Sequence, residues 1–446
     1  MEWLDDRKIE DEMYMLAALG LARRGAGWVS PNPQVGCVIE RFGEIIGQGW
    51  HTAYGKLHAE REALADCVAR GEDPRGATVY VTLEPCCHYG KTPPCTDALI
   101  EAGVKRVVVG APDPNPLVAG KGCEALRAAG IRVDEGILLD KCLEINRAWF
   151  HYIRTGHPYV IMKFAMTADG KIGTRPGASL WLTGEEAVQR AHLDRHRCGA
   201  ILVGANTVRI DDARLTCRWN GASEEPETTA AGASSPAGPC QPLRIVIDGA
   251  ARTPLGSALV KSATREAPVV ILVDEVDEAG KAGKVGEAGK AGKAGKTREV
   301  NEADEVGKVG KVGKTREATT AYEADEKIAR VEALRAAGVD IAPLPKDGDD
   351  INWGALLDML GKRGIDSLIV EGGPTIHGSL VRSGLVNEVH TYIAAEVFGG
   401  KGAPCPVAGA DLDDPRKAMH LCKPEFEQLG NDVLVRWKVA SCSQES

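Results

Sequence analysis

The chain has few aromatic residues, no long apolar run and no strong excess of charge of one sign. Only 5 % of its 446 residues are aromatic, too few to favour the stacking platforms that hold single-stranded nucleic acid. Lys and Arg number 54 against 63 Asp and Glu, and the formal net charge of -9 argues against nucleic acid as the main partner. No stretch approaches about 18 consecutive apolar residues, so we expect no transmembrane helix.

The sequence also lacks the features of a secreted protein. The stretch Met1–Arg7 is acidic and has no apolar core of a secretory signal. The 13 cysteines are an odd number in a long chain, which argues against a disulfide framework. We therefore expect a cytoplasmic protein with reduced thiols, in which cysteines beside His and Glu are candidates for metal chemistry.

The chain divides into two α/β halves. Short β-rich runs alternate with helical segments, a pattern typical of a sheet flanked by helices. Turn residues at Arg154–Pro158 separate the halves and predict one domain at residues 1–150 and another at residues 158–440.

Two low-complexity stretches interrupt the second half. Residues 220–241 are rich in Ala, Ser, Glu, Thr and Pro, and residues 274–327 contain Gly-Lys repeats such as Ala288–Lys296. Neither stretch offers enough apolar area to offset the entropy of ordering. Both are therefore predicted to be disordered inserts, and the next helix is predicted around Ala329–Ala337.

One group of residues in the first half has the composition of a catalytic zinc site. His58 and Glu60 lie two positions apart, and Cys86 and Cys95 follow further along the chain. A catalytic zinc takes three N or S ligands and keeps one position open for water, whose pKa it lowers to about 7. His58, Cys86 and Cys95 supply that set. Glu60 is the candidate that moves the proton onto a departing amine.

Two other interpretations of the same residues stay open. Cys87 or His88 would complete a closed, structural four-ligand zinc site, or the cysteines are simply buried in a core. The lone His58 favours the catalytic interpretation, because structural zinc sites normally have paired close spacings on both sides.

The second half carries weaker signals for phosphate binding. In Val370–Ser379 a Gly pair stands between an apolar strand and a helix start, where backbone amides can cradle a phosphate. A turn without any ligand fits this spacing as well, and the G-x-G-x-x-G dinucleotide fingerprint is not present there. Arg195 and Arg218 are candidate phosphate clamps. The paired Asp211 and Asp212 indicate either ribose contacts or a helix cap.

The motifs of the first half resemble those of known deaminases. The H-x-E motif at His58 followed by Pro-Cys86 is similar to the zinc-dependent cytidine deaminase superfamily, whose second motif is P-C-x-x-C. Here Cys95 lies further from Cys86. That longer form, with Pro31–Gly36 and Asp113–Pro116, resembles the bifunctional riboflavin-biosynthesis deaminase/reductase family. The resemblance implies a pyrimidine and ribose-phosphate pocket lined by Asn32, His51, His88 and Lys91.

The motifs of the second half resemble the reductase half of the same family. They are Lys163–Lys171, Trp181–Gly184, the T-V-x-x-D-D element from Thr207 and E-G-G-P-T from Glu371. The resemblance implies a fold similar to dihydrofolate reductase and the cofactor NADPH. The implied cofactor residues are Ala165, Trp181, Thr207, Asp211, Gly373, Pro374, Thr375, Ile376, His377, Gly378 and Ser379. The implied substrate residues are Ser179, Arg195, Leu215, Arg218 and Glu371.

The residues and the resemblance together predict a bifunctional enzyme of riboflavin biosynthesis that binds Zn²⁺ and NADPH. The first half would deaminate 2,5-diamino-6-(5-phosphoribosylamino)pyrimidin-4(3H)-one, and the second would reduce the ribose of 5-amino-6-(5-phosphoribosylamino)uracil. We expect these small molecules as partners, no nucleic acid or membrane, and a homodimer or higher homo-oligomer. The alternatives are a nucleoside or tRNA deaminase with an appended nucleotide-binding domain, an active deaminase with a degenerate reductase, and a zinc-stabilised binding module.

Overall fold

The structure is a computed structural model that describes residues 2–89, 93–115, 118–178, 181–220, 238–275 and 310–440, with the backbone alone at 2–5 and 310–322. Its first half contains six helices and five strands among the described residues. They are α1 Glu2–Arg23, β1 Gly36–Arg41, β2 Glu44–Trp50, α2 Ala59–Arg70, β3 Thr78–Leu83, α3 Cys95–Ala102, β4 Arg106–Ala111, α4 Lys121–Ala128, β5 Arg132–Glu135, α5 Leu139–Ile145 and α6 Arg147–Thr155.

A five-stranded sheet forms the middle layer of this half, in the order β2-β1-β3-β4-β5. The central strands β3 and β4 are parallel and read TVYVTL and RVVVGA, the apolar, β-branched runs of strands buried on both faces. Helices α2, α3 and α4 cover one face, where Cys67, Leu99 and Leu126 join the core. Helices α1, α5 and α6 cover the other face, where Leu19 and Phe150 join it.

The second half contains a nine-stranded sheet. Its elements are β6 Tyr159–Thr167, α7 Glu185–Arg197, β7 Ala200–Gly204, α8 Ala205–Asp211, β8 Leu243–Ile247, α9 Ala258–Lys261, β9 Val269–Val273, α10 Gly310–Ala336, β10 Asp340–Pro343, β11 Lys346–Asp347, β12 Asp350–Ile351, α11 Trp353–Lys362, β13 Ser367–Gly372, α12 Pro374–Ser383, β14 Glu388–Ala394, β15 Leu421–Leu429 and β16 Asp432–Val439. The strand order is β10-β9-β8-β7-β13-β6-β14-β16-β15, with β11 and β12 in a separate pair.

This larger sheet is mostly parallel and is also covered on both faces. All pairs from β10 to β14 are parallel, and β16 and β15 add an antiparallel edge. Leu259 of α9 and Leu334 of α10 pack on one face. Trp353 of α11 and Leu380 of α12 pack on the other. The carboxyl ends of β6, β7 and β13 therefore meet at one edge of the sheet, where a ligand site of an open α/β sheet is expected.

The two halves touch at the turn between α6 and β6. Arg147 of α6 donates from Nε to Glu388 of β14 at 2.8 Å. Nearby, the Tyr152 hydroxyl donates to the Gly361 carbonyl at 3.1 Å, and His157 pairs with Asp358 at 2.8 Å. The turn lies in the predicted boundary Arg154–Pro158, while helix α6 continues past residue 150. The domain limits themselves stay a prediction.

Helix α10 begins earlier in the chain than the sequence predicted. Helix α10 begins at Gly310, well before the predicted Ala329, and therefore extends into the predicted insert at residues 274–327. The physical reason is that residues 314–336 contain neither Gly nor Pro and are rich in Ala, Glu, Lys and Arg, which favour helix. Residues 221–237 and 276–309, which make up most of the predicted inserts, lie outside the described residues.

The described part of the chain has neither a disulfide bond nor a helix that could cross a membrane. Twelve cysteines lie in the described part of the chain, and all of them are free thiols. Among the helices of the described residues, none is both long enough and apolar enough to cross a membrane.

Candidate active sites

The predicted metal ligands come together at the amino-terminal ends of two helices. His58 is the residue before α2, Cys86 follows β3, and Cys95 is the first residue of α3. His58 Nδ1 lies 3.5 Å from Cys86 Sγ and 3.4 Å from Cys95 Sγ. All three ligand atoms lie within 4.8 Å of one another.

These separations fit a tetrahedral zinc ion. Zn–S bonds of about 2.3 Å and Zn–N bonds of about 2.0 Å place neighbouring ligand atoms about 3.5 Å apart at tetrahedral angles. Contacts from Cys95 and His58 lower the pKa of Cys86, although burial opposes this, and the same contact between the two thiols raises the pKa of Cys95. Cys87 and His88 do not belong to this cluster, so the described residues give three ligands rather than a closed set of four.

Glu60 lies beside the ligands in the first turn of α2. Its side chain is only 3 % exposed, and it lines the same cavity as His58 and Cys86. Burial, with a smaller contribution from Cys86, raises the pKa of Glu60 to about 7. The carboxyl is therefore close to the metal ligands and able to exchange a proton near neutral pH.

The cavity next to these residues has a volume of about 330 Å³, at the lower end of the range for small-molecule sites. Asn32, His51 and His88, which the family resemblance implies for the pyrimidine pocket, all line it. His51 Nδ1 lies 2.9 Å from the Leu57 carbonyl, and its Nε2 lies 3.1 Å from the Asn32 amide nitrogen. His51 is thereby held as a neutral ring that donates from Nδ1 and accepts at Nε2, and burial lowers its pKa.

The structure describes His88 but not Lys91, the two remaining residues predicted for this pocket. His88 Nδ1 is buried without a hydrogen-bond partner among the described residues, which leaves it for a ligand. Lys91 lies outside the described residues.

Glu84 is a residue of this site that the sequence did not single out. Its carboxylate accepts four backbone N–H groups: those of Gly122 and Cys123 at Oε1, and those of Gly120 and Asp113 at Oε2. These bonds hold the loop after β4, which carries other cavity residues, against the turn that leads to Cys86. The available sequence signal was a carboxylate directly after a buried strand. Its partners lie 29 to 39 residues further along the chain, so local sequence patterns could not identify them.

The second cavity, of about 580 Å³, lies in the second half at the carboxyl ends of the sheet. It is lined by four predicted cofactor residues, Ala165, Trp181, Thr207 and Asp211, and by four predicted substrate residues, Arg195, Leu215, Arg218 and Glu371. The sheet order brings these together although they are spread over about 200 residues of sequence. Ser179 lies outside the described residues.

The sequence suggested Arg195 as a phosphate clamp, but in the structure its guanidinium pairs with a carboxylate. Its Nε and Nη2 donate to the two carboxylate oxygens of Glu371, each at 2.7 Å, because α7 places the guanidinium opposite the end of β13. Burial opposes ionisation of Glu371, but Arg195 and then Lys163 lower its pKa to about 2. Arg195 is thus already paired with a carboxylate, whereas Arg214 and Arg218, which also line the cavity, are exposed.

Lys163 is a second residue that the sequence did not assign. It lies inside the apolar strand β6, its Nζ is 3.7 Å from Glu371 Oε2, and it sits 5.0 Å from the ring centre of Tyr392. Both Lys163 and Tyr392 line the cavity. The sequence signal that could have identified Lys163 is its position within a buried strand, because a buried charge needs a partner.

The predicted cofactor loop Gly373–Ser379 forms the start of α12. Gly373 has φ +88°, a conformation that favours glycine, and a Cβ there would lie 3.8 Å from Thr207 Oγ1. Pro374, Thr375 and Ile376 form the first turn. Because proline has no N–H, the donors that this turn can offer to an anion are the N–H groups of Thr375 and Ile376. The loop therefore approaches the cavity at its first residues.

The later residues of this loop make contacts within the fold. His377 is buried, with Nδ1 3.0 Å from the Pro406 carbonyl and Nε2 3.2 Å from the Val370 carbonyl. Gly378 packs against the Ala408 backbone, and Ser379 Oγ accepts from Trp353 Nε1 at 3.0 Å. The structure does not bring these three side chains to the cavity, because the helix turns them toward the core. Their cofactor role stays a prediction.

Comparison with known proteins places the chain in a family. Residues 8–111 match the cytidine and deoxycytidylate deaminase zinc-binding region, and residues 158–306 and 310–435 match the RibD C-terminal domain. The riboflavin biosynthesis protein RibD of Actinobacillus pleuropneumoniae is 39 % identical over 435 residues, which cover 98 % of this chain and 97 % of that protein. The chain belongs to the RibD family.

Solved RibD structures share this architecture over nearly the whole chain. RibD of Acinetobacter baumannii is 30 % identical with a TM-score of 0.73, covering 97 % of this chain and 100 % of that one. A Thermotoga maritima protein, described as a diaminohydroxyphosphoribosylaminopyrimidine deaminase/5-amino-6-(5-phosphoribosylamino)uracil reductase, is 29 % identical with a TM-score of 0.72 and the same coverage.

Membership of the RibD family settles the general activity and fold. The chain is a bifunctional deaminase and reductase of riboflavin biosynthesis. Its first half has a cytidine deaminase-like fold and binds zinc, and its second half has a dihydrofolate reductase-like fold and uses NADPH. The family, fold class, enzyme class and cofactors predicted from the sequence are confirmed.

Proposed function

We propose that the first half removes the 2-amino group of 2,5-diamino-6-(5-phosphoribosylamino)pyrimidin-4(3H)-one, and that the second half reduces the ribose of the resulting 5-amino-6-(5-phosphoribosylamino)uracil to a ribityl chain. The main support is the approach of His58, Cys86 and Cys95 to within 4.8 Å of one another beside a cavity that Glu60 also lines. The Thermotoga maritima relative is described by the names of these same two activities.

In the deaminase half, His58, Cys86 and Cys95 hold zinc, which supplies an acidified water when bound. The carboxylate of Glu60 takes a proton from the attacking water and delivers it to the departing nitrogen. A C–O bond forms at the ring carbon, the C–N bond breaks, and ammonia leaves. Burial of Glu60 supports this role, because it keeps bulk water from the proton in transfer.

The other residues of the first cavity bind and orient the substrate. Asn32 and His51 are linked by a hydrogen bond, so each fixes the direction in which the other meets the pyrimidine. His88 offers a buried ring nitrogen without a partner. Lys91 completes the set as the cation for the ribose phosphate.

In the reductase half, NADPH supplies the hydride when bound, and the residues of the chain position two phosphorylated molecules. Ala165, Trp181, Thr207 and Asp211 contact the cofactor together with the first residues of the predicted loop, Gly373–Ile376. Trp181 is 79 % exposed, which leaves its ring free to cover a ligand at the cavity mouth. Ser179, Arg195, Leu215, Arg218 and Glu371 contact the pyrimidine substrate, with Arg218 on its phosphate.

We also propose a cellular compartment, an oligomeric state and domain limits for the enzyme. The free thiols of the described cysteines support a reducing compartment, the cytoplasm. Strand β15 forms an edge of the large sheet and exposes Phe426, which supports association with a second copy. The deaminase domain is assigned to residues 1–150 and the reductase domain to residues 158–440.

Incubation of the purified protein with the diaminopyrimidine phosphate tests the proposal. Without NADPH we expect ammonia and the aminouracil, and with NADPH the ribitylamino product, both identified by mass spectrometry. Ammonia from cytidine or adenosine but not from this substrate would overturn the deaminase assignment. Formation of the aminouracil without its reduction would overturn the reductase assignment.

A further inference from the structure

Three aromatic rings from the two halves meet beside the segment that carries Arg218. Trp28 belongs to the segment between α1 and β1, His196 to α7, and Trp219 to the loop that follows Arg218. The Trp28 and His196 ring centres are 4.4 Å apart in an edge-to-face arrangement, and His196 stacks on Trp219 at 4.9 Å. We call these three residues the Trp28 stack.

His196 is held firmly at the centre of the Trp28 stack. It is 1 % exposed, and its Nδ1 accepts from the Cys240 backbone N–H at 2.9 Å. Gly27 approaches it so closely that a Cβ at this position would lie 2.5 Å from the imidazole, and the φ of +84° also requires glycine. Trp28 Nε1 donates to the Gly238 carbonyl at 3.3 Å, a second link between the halves.

The Trp28 stack adjoins both arginines of the reductase site in sequence. His196 directly follows Arg195, and Trp219 directly follows Arg218. The segment that carries Arg218 is attached to α7 through His192 and Arg195. The His192 carbonyl accepts from Cys217 Sγ at 3.1 Å, and His192 Nδ1 accepts from the Arg218 N–H at 3.4 Å. Arg195 Nη1 donates to the Thr216 carbonyl at 3.3 Å. The packing of Trp219 on His196 is the next contact along this segment.

The guanidinium of Arg218 depends on that backbone for its position. Arg195 donates to both carboxylate oxygens of Glu371. The guanidinium of Arg218 instead donates from Nη1 to Thr216 Oγ1 at 3.2 Å, a partner on its own segment. Its direction is therefore set by the course of residues 216–219. Removing the indole of Trp28 removes its ring contact with His196, the residue on which Trp219 stacks.

We propose that Trp28, a residue of the deaminase half, is a positioning residue for the reductase site that keeps Arg218 directed at the substrate phosphate. The inference rests on the proposed reductase function. The Trp28 stack fixes the backbone on which Arg218 stands, so its effect falls on binding of the phosphorylated pyrimidine rather than on the chemical step. The two halves are thus linked by a contact that serves one of the active sites.

Steady-state reduction by the full-length enzyme tests this, with Trp28→Ala, Trp28→Phe and the control His157→Ala. The control removes another contact between the halves, the His157–Asp358 pair at 2.8 Å, in a residue outside the reductase cavity lining. For Trp28→Ala we expect the KM of the aminouracil phosphate to rise about tenfold, with kcat and the KM of NADPH within about twofold of wild type. Trp28→Phe, which keeps a ring, and His157→Ala should both stay near wild type.

A binding measurement without NADPH gives a second readout. The Kd of the aminouracil phosphate, measured by calorimetry, should rise in Trp28→Ala by the same factor as its KM. Should Trp28→Ala fail to fold, Trp219→Leu removes the stack from the reductase side and should give the same change. A wild-type KM in the folded variants, or an equal loss in kcat and in both KM values, would overturn the inference.

The activity of the wild-type enzyme distinguishes a wrong reductase function from a wrong role for Trp28. If the wild-type enzyme neither binds nor reduces the aminouracil phosphate, the proposed function is wrong whatever Trp28 does. If the wild-type enzyme is active and Trp28→Ala matches it, only the positioning role is wrong.

Discussion

The deaminase cavity and the reductase cavity shift the pKa of their key acidic side chains in opposite directions. In the deaminase half, burial raises the pKa of Glu60 to about 7 and that of Asp113 to about 6. In the reductase half burial acts on Glu371 as well, but Arg195 and then Lys163 lower its pKa to about 2. Burial thus favours the protonated form of the acids in one site, and neighbouring cations favour the ionised form of the acid in the other.

This difference follows from what each reaction requires of the chain. Deamination needs a side chain that accepts and returns a proton, so an acid with a raised pKa is useful. Reduction takes its hydride from NADPH, so the chain mainly has to bind and orient two ligands. The ion pair of Arg195 and Glu371 fixes one side of that cavity, and we expect Arg218 to bind the phosphate.

Removing a metal ligand should have the largest effect. Cys95→Ser is expected to lose bound zinc and essentially all ammonia release, because a thiolate ligand at the start of α3 is removed. The matched control is Cys87→Ser, since Cys87 is outside the ligand cluster. Zinc content by atomic absorption and ammonia release are measured on both. Loss of zinc from Cys87→Ser with full activity in Cys95→Ser would contradict the ligand assignment.

Removing the proton carrier should affect the reaction without affecting the metal. Glu60→Gln is expected to keep zinc and to lose about 10²–10⁴-fold in deamination, because the amide cannot take up the proton. Glu62→Gln, an acid on the same helix outside the cavity lining, is the control and should keep its rate. Ammonia release from Glu60→Gln close to that of wild type would show that another group moves the proton.

The reductase half should respond more moderately, because its side chains act by binding. Arg218→Ala is expected to lower kcat/KM of reduction about tenfold to hundredfold, the effect of one charge-assisted phosphate contact of about 1.5–3 kcal/mol. Arg209→Ala, an exposed arginine on α8, should have little effect. NADPH oxidation measures both variants. A wild-type kcat/KM in Arg218→Ala would remove this residue from the substrate site.

The smallest effect is expected from the low-complexity insert. Replacing residues 277–309 with a short Gly-Ser linker should change the free energy of unfolding by about 1 kcal/mol or less, because long surface loops cost little to close. The deletion ends before Gly310, where α10 begins. Thermal unfolding and the KM of NADPH are the measurements. A large loss in either one would show that the segment contributes to the fold or to the site.

Local sequence patterns predicted most of the deaminase site and less of the reductase site. His58 and Glu60 are two residues apart, and the first turn of one helix brings both to the cavity, so spacing and residue type were sufficient. The pairing of Arg195 with Glu371 joins residues 176 positions apart, and only the sheet order places them together. The Trp28 stack is likewise a contact between distant segments.

The central claim is that the two sites do separate chemistry, and one experiment tests it most directly. Glu60→Gln enzyme is supplied with NADPH and either the diaminopyrimidine phosphate or the already deaminated aminouracil phosphate. We expect almost no ammonia and no reduced product from the first substrate, but reduction of the second at the wild-type rate. An equal loss of reduction with the second substrate would contradict two separate sites and indicate that Glu60 serves a single shared one.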